Sequence, residues 1–193
     1  MTVRIALLGW GSLLWEGGNT FDDWHEPWQC DGPSLRIEFS RVSSSRGGAL
    51  TLVIDPENGV PVRVAWCLSL RQTIGEAIED LRKREQTKTQ QQVGRIAADG
   101  QAQCHDGESH QAIYTWAAER ELAGVVWTDL RSNFAMKRRE PFSVETAMRY
   151  LKSLEGESRM KAVEYLQKAP SFVQTPLRDA FNSEMGTLAQ SKS

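Results

Sequence analysis

Glu85 is a carboxylate where the pattern asks for an apolar side chain. It extends the series Ile74, Ala77, Ile78, Leu81 by one more four-residue step. A helix through this segment would carry its acid on the buried face. Burial disfavours the anion, and the negative end of the helix dipole disfavours it further. The pattern therefore predicts a carboxyl group tuned upward, able to act as general acid or base near neutral pH. The competing reading is an ion pair with Arg82, Arg84 or Lys88 at a solvated helix end.

A second stretch with chemical potential is Ile5-Ala6-Leu7-Leu8-Gly9-Trp10-Gly11-Ser12-Leu13-Leu14-Trp15. An apolar run enters a small-residue turn and a second apolar run leaves it. Gly-x-Gly-Ser exposes backbone N–H groups that no side chain blocks, which suits a carboxylate, a phosphate or a developing oxyanion. The alternative is a tight turn at a strand end. No Gly-Lys-Ser/Thr follows, so it is not a P-loop. The third glycine of a dinucleotide turn is absent, and Ser12 lacks the flanking glycines of a nucleophile elbow. Cys104, His105 and His110 match no zinc spacing, so no metal is expected. His25, between Trp24 and Trp28, belongs to an aromatic loop, and Lys137-Arg138-Arg139-Glu140 reads as a solvated charge cluster at a helix entry.

The elements that must position these residues follow from periodicity. Residues 3–8 read as a buried strand, 16–33 as an irregular aromatic loop, and 35–42 as a half-buried strand. The runs 49–54 and 62–68, separated by Asp55-Pro56-Glu57-Asn58-Gly59, predict a hairpin. A helix is expected from Leu70 to about Gln86, a polar loop over 87–95 and a strand over 112–117. Helices are expected over 142–155, with an N-cap region at Ser143 and Thr146, over 158–167, and over 175–185. The order implies an α+β, barrel-like fold with C-terminal helices.

Composition narrows the class. The 193 residues suffice for one well-cored domain. A net charge of -2 gives no reason to expect nucleic acid or an anionic membrane as partner. Three widely spaced cysteines (Cys30, Cys67, Cys104) fit a reducing compartment. No signal peptide and no run of about 18 apolar residues is seen, so a cytoplasmic protein without a membrane partner is expected. Seven tryptophans are the compositional outlier, four of them before residue 30, where they could line a pocket or fill a core.

Together the turn and the helix resemble the γ-glutamylcyclotransferase family, including its ChaC-like members. Trp10-Gly11-Ser12-Leu13 is similar to the family's Tyr-Gly-Ser-Leu turn, and Leu14-Trp15 to the residues that follow it. Ser43-Ser44-Ser45-Arg46-Gly47 resembles a polar Arg-Gly stretch, and Arg84-Glu85 the helix end that carries the family's catalytic glutamate. Tyr114 stands where relatives have a ligand-contacting tyrosine. The resemblance covers roughly residues 3–117, with two departures: Trp10 replaces tyrosine, and Gln86-Thr87-Lys88 follows the glutamate where ChaC-like members carry Gly-Tyr.

The resemblance implies a small mixed β-barrel with flanking and C-terminal helices. It spans residues 1–140, with a helical extension over 141–187 packed on it and a disordered tail over 188–193. It also implies a γ-glutamyl substrate, Glu85 as general acid/base, and Trp10, Gly11, Ser12, Leu13, Arg46 and Tyr114 as substrate-binding residues. The product would be 5-oxoproline, with no cofactor. The alternatives are a catalytically silent binding protein on the same fold, or an interaction module built on the tryptophan loop and the C-terminal helices. Oligomeric state and the leaving group are left open.

Overall fold

A computed structural model describes residues 3–17, 20–87 and 89–190. The chain is mixed α+β and divides into two discontinuous units, residues 1–35 with 63–130 and residues 36–62 with 131–193. The segment 36–62 thus groups with the C-terminal helices. Among the described residues no helix is long and apolar enough to cross a membrane.

The first unit is built on β1 (Ile5–Gly9), β5 (Ala65–Leu68), β6 (Val93–Ala97), β7 (Ala102–Gln103) and β8 (Gly124–Thr128). They form one sheet in the order β5-β1-β8-β6-β7. β1 and β8 run parallel in the register Ile5↔Gly124 to Leu7↔Val126. β5 lies antiparallel to β1, and β6 antiparallel to β8. The uninterrupted apolar runs of β1 and β8 are explained by burial on both faces, the usual condition of parallel strands.

Helix α1 (Ile74–Arg84) begins with a capping box in which Thr73 and Glu76 satisfy each other's backbone N–H groups. Its Ala77, Ile78 and Leu81 share one core cluster with Ile5, Leu7, Leu13, Phe21, Val93 and Val126. The helical period read from the sequence is therefore the face that packs.

Three expectations are corrected. The runs 49–54 and 62–68 do not pair as a hairpin: β3 (Leu50–Ile54) and β4 (Val60–Arg63) flank β2 (Ser34–Val42), and β5 joins the other sheet. The turn between them is held by the Asp55 carboxylate, which accepts from Glu57 and Asn58, and it leads β4 to the far edge of β2. Residues 112–117 are not a strand but part of α2 (Gly107–Glu119), capped by Asp106 and burying Ser109, Ile113, Trp116 and Ala117. The segment 87–95 is only partly a loop, because β6 begins at Val93. Gly94 makes that strand possible: a Cβ there would collide with the Trp127 ring.

The second unit sets the β3-β2-β4 sheet with α3 (Phe134–Arg138), α4 (Val144–Ser153), α5 (Gly156–Lys168) and α6 (Pro176–Gln190). Ser143 caps α4 through a reciprocal box with Thr146, as expected. Phe39 meets Tyr165 edge to face, and Phe134 packs against Phe142 and Tyr150 in the same way. Helix α6 continues to Gln190, and the remaining three residues of the expected tail lie outside the described residues.

Candidate active site

The carboxyl ends of parallel strands are where an α/β sheet leaves room for a ligand. In the first unit β1 ends at Gly9 and β8 at Thr128, the same edge. A 3-10 turn over Ser12–Leu14 follows β1 directly. Within it Leu14 N–H donates to the Gly11 carbonyl, and the Ser12 carbonyl accepts from Trp15 and Glu16. The turn's carbonyls are thus used internally. The N–H groups of Gly11 and Leu13 have no acceptor among the described residues, as expected of the opening turn of a short helix.

Glu85 is the C-cap residue of α1, its side chain 20% exposed. What joins it to the turn is its neighbour. The Arg84 guanidinium donates through Nη2 to the carbonyls of Glu16 at 3.0 Å and Ser12 at 3.4 Å, while Nη1 stands 3.8 Å from Glu85 Oε1. Arg84 is itself largely buried, with its side chain 11% exposed. One cation therefore ties the end of α1 to the turn after β1 and sits beside the carboxylate. Arg82 is committed elsewhere, to Glu79 and to the Thr87 carbonyl. The site holds elements of both readings of Glu85: a half-buried acid and an adjacent cation. A pocket of about 380 Å³ opens on the Arg84 side of α1, lined by Glu16, Phe21, Asp80, Lys83, Arg84 and Gln86 among others; Glu85 is not in that lining.

Trp10 is buried, so its bulk goes into packing. Gly9 is closely approached: a Cβ there would stand 3.0 Å from the Trp28 ring and 3.2 Å from the Leu14 side chain. The loop that supplies Trp28 is held by the rings of Phe21, His25 and Trp28 in succession, with His25 Nδ1 2.7 Å from the Glu26 carbonyl oxygen. His25 is thus part of the loop's packing.

Two other expected ligand contacts are placed as follows. Tyr114, expected on a strand, is 47% exposed on α2 and stacks on His110. Arg46 belongs to the second unit, in the turn between β2 and β3, with its guanidinium 5.1 Å from the Tyr165 ring centre.

Sequence reading passed over Asp129. It accepts from His105 Nδ1 at 2.6 Å in the tautomer that protonates that nitrogen, and from the Trp127 indole at 3.0 Å. No spacing rule links residues so far apart. Burial pushes the neighbouring Cys104 thiol up to about 11, which keeps it protonated. Among the described residues no group of three metal-ligating side chains gathers.

Comparison with known proteins identifies no relative: no family model, no curated protein and no solved structure matches the chain.

Proposed function

We propose that the protein is a γ-glutamylcyclotransferase-like enzyme. The observation that carries this reading is the Arg84 clamp, which holds a half-buried glutamate and a turn with unused N–H groups at one sheet edge. A general base and an oxyanion cradle on adjoining elements are what intramolecular aminolysis of a γ-glutamyl amide needs.

In this mechanism the substrate's α-ammonium lies against Glu85 and its γ-carbonyl oxygen against the N–H groups of Gly11 and Leu13. Glu85 removes one proton, and the freed amine attacks the carbon of the γ-carbonyl to close a five-membered ring. The turn N–H groups hold the resulting oxyanion. The attacking nitrogen gives up a second proton, the leaving nitrogen takes up the two, and Glu85 carries each in turn. Collapse breaks the original amide bond and releases 5-oxoproline and an amine. Nucleophile and electrophile share one molecule, so effective concentrations of order 10⁵ M or more become accessible once the rotors are frozen. Neither step calls for a cofactor.

Ser12 contributes its carbonyl to the clamp, and Trp10 ahead of the turn is buried. The small mixed barrel of the family, a cytoplasmic setting and a role in glutathione or γ-glutamyl amine turnover are parts of this same proposal. The amide's leaving group distinguishes glutathione, γ-glutamyl amino acids and γ-glutamylamines.

The ion contact between Arg84 and Glu85 favours one other reading, a protein that binds γ-glutamyl compounds without turning them over. The test is 5-oxoproline release from a panel of γ-glutamyl compounds by wild type and Glu85→Gln. Release that depends on Glu85 supports the enzyme. Binding without release supports the silent reading, and neither binding nor release rejects both.

A further inference from the structure

The mechanism above leaves open what the leaving nitrogen carries, and the pocket beside the clamp bears on that. Its volume of about 380 Å³ falls in the range of small-ligand sites. Glu16 and Arg84 belong both to the clamp and to the pocket wall, which Phe21, Asp80, Lys83 and Gln86 extend. Most of the charge in that wall is matched. Arg84 stands 3.7 Å from the Glu16 carboxylate and 3.8 Å from that of Glu85. Asp80 takes two bonds from Arg71, at 2.6 and 3.0 Å.

Among the described lining residues, Lys83 is the exception. The carboxylate nearest it, Glu79, is 3.8 Å away and already takes two bonds of 2.7 Å from Arg82. One acid thus serves two cations, and the Lys83 ammonium, on a side chain 67% exposed, has charge to offer an anion in the pocket. Beside it stands Gln86, one residue past the Glu85 cap and at φ +51°. Its N–H donates to the Lys83 carbonyl and that of Thr87 to Arg82, a helix ending that glycine fits without strain. Glu121 and Arg139 hold the same conformation after α2 and α3, so the strain alone marks nothing. At Gln86 it sets an amide in the pocket wall next to the proposed base.

We propose that this pocket receives the leaving group, that the leaving group bears a carboxylate, and that Lys83 Nζ and the Gln86 amide N–H bind it. The substrates are then γ-glutamyl amino acids or peptides in preference to γ-glutamylamines. This rests on the γ-glutamyl reading above. With the α-amine at Glu85, the far side of the amide passes the Arg84 guanidinium and its anionic end meets the ammonium. Arg71 and Arg84 hold the wall carboxylates, which limits their repulsion of that end.

The experiment compares wild type, Lys83→Met, Lys83→Glu and Gln86→Gly on γ-glutamyl-alanine, γ-glutamyl-alanyl-glycine and γ-glutamyl-ethylamine, the last being the first without its carboxylate. Methionine matches lysine in helix propensity and the position is exposed, so the fold is expected to stand. Wild type is expected to prefer the two carboxylate-bearing compounds. Lys83→Met lessens that preference about threefold, mainly through KM, and Lys83→Glu lessens it further; both effects fade in high salt, as for any exposed ion pair. Gln86→Gly lessens it about twofold while raising the unfolding temperature by about 2 °C, because glycine relieves the strain. A larger Lys83 effect on one carboxylate compound than on the other tells an amino acid from a peptide as the leaving group, and either result supports the proposal. Binding without turnover is read through the same ratios of Kd. No wild-type preference, or one that Lys83→Glu leaves unmoved, overturns this proposal alone. A wild type that neither binds nor cleaves any of the three overturns the γ-glutamyl reading and this inference with it.

Discussion

Each unit withdraws a glutamate and an arginine from solvent, fully in the second and partly in the first, and the two use them differently. In the second unit Glu38 is fully buried, and its carboxylate accepts from Phe39 N–H, the Thr175 hydroxyl and Leu177 N–H. Arg178 in the same unit is nearly as buried, and it donates to the carbonyls of Ala169, Pro170 and Val173 at the end of α5. These groups are spent on closing helix ends, Glu38 at the start of α6 and Arg178 after α5. In the first unit Arg84 donates instead to the carbonyls of Ser12 and Glu16 in the turn after β1, with the Glu85 and Glu16 carboxylates 3.8 and 3.7 Å away. Burial of charge therefore does not mark a site by itself. What separates the two pairs is their partners: closed helix ends in the second unit, and in the first a clamp beside a half-buried acid.

The contrast can be broken most sharply by exchanging what each unit loses. Glu85→Gln is expected to cut 5-oxoproline formation by about 10²–10⁴-fold, the usual worth of a general acid or base, with an unchanged denaturation midpoint. Arg178→Ala is expected to do the reverse. It strands three carbonyls and should cost about 3 kcal/mol in urea unfolding, while kcat of the folded fraction stays the same. A stable Arg178→Ala would erase the distinction.

Glu38 sharpens the contrast through pH. Burial raises its carboxyl above the ordinary 4.5, against the pull of its three donors. The folded state therefore holds this proton after the unfolded chain has released it. The stability it contributes is complete below about 4.5 and falls as pH rises from there through the raised folded value. Glu38→Gln removes that fall, so the stability of wild type relative to Glu38→Gln should decline across that window. A constant difference would refute the assignment. The smallest effect is expected from a chelator: EDTA should leave activity unaltered, since no proposed step uses a metal.

The same contrast explains what the sequence could disclose. Helix α1 was legible because Ile74, Ala77, Ile78 and Leu81 keep one period and Thr73 with Glu76 forms a local cap. Helix α4 was legible for the same reason, through Ser143 and Thr146. Both signals are local. The strand reading of Ala112-Ile113-Tyr114-Thr115-Trp116-Ala117 followed its β-branched and aromatic content, but the Asp106 cap and packing of Ile113, Trp116 and Ala117 outweigh propensity. Strands β6 and β8 carried little local signal, being five residues each and defined by pairing with one another and with β1.

At the site, Glu85 and the turn were visible as types in a pattern. The Arg84 link depends on a contact spanning residues 16 to 84, and the shared strand edge on a register spanning 7 to 126. The tryptophans were ambiguous until placed. Trp10, Trp66, Trp116 and Trp127 are interior, and Trp24, the one large exposed ring among the seven, lies under the Arg71 guanidinium. That leaves little support for an interaction surface built on the tryptophan loop.

The central strand of the five-stranded sheet is also the last of its strands in the chain. Before β8 leaves the ribosome, β1 can pair only with β5 and β6 only with β7, and two half-sheets wait with open edges. Pairing so distant in sequence is a slow, late event in folding. When β8 enters between them it joins the halves, setting Val126 against Leu7 on one side and Arg95 on the other. Nascent chains and fragments ending before Gly124 can hold Glu85 and the glycine turn, yet they lack the strand that completes the edge. The carboxyl edge of the sheet is therefore complete only once the last strand is in place.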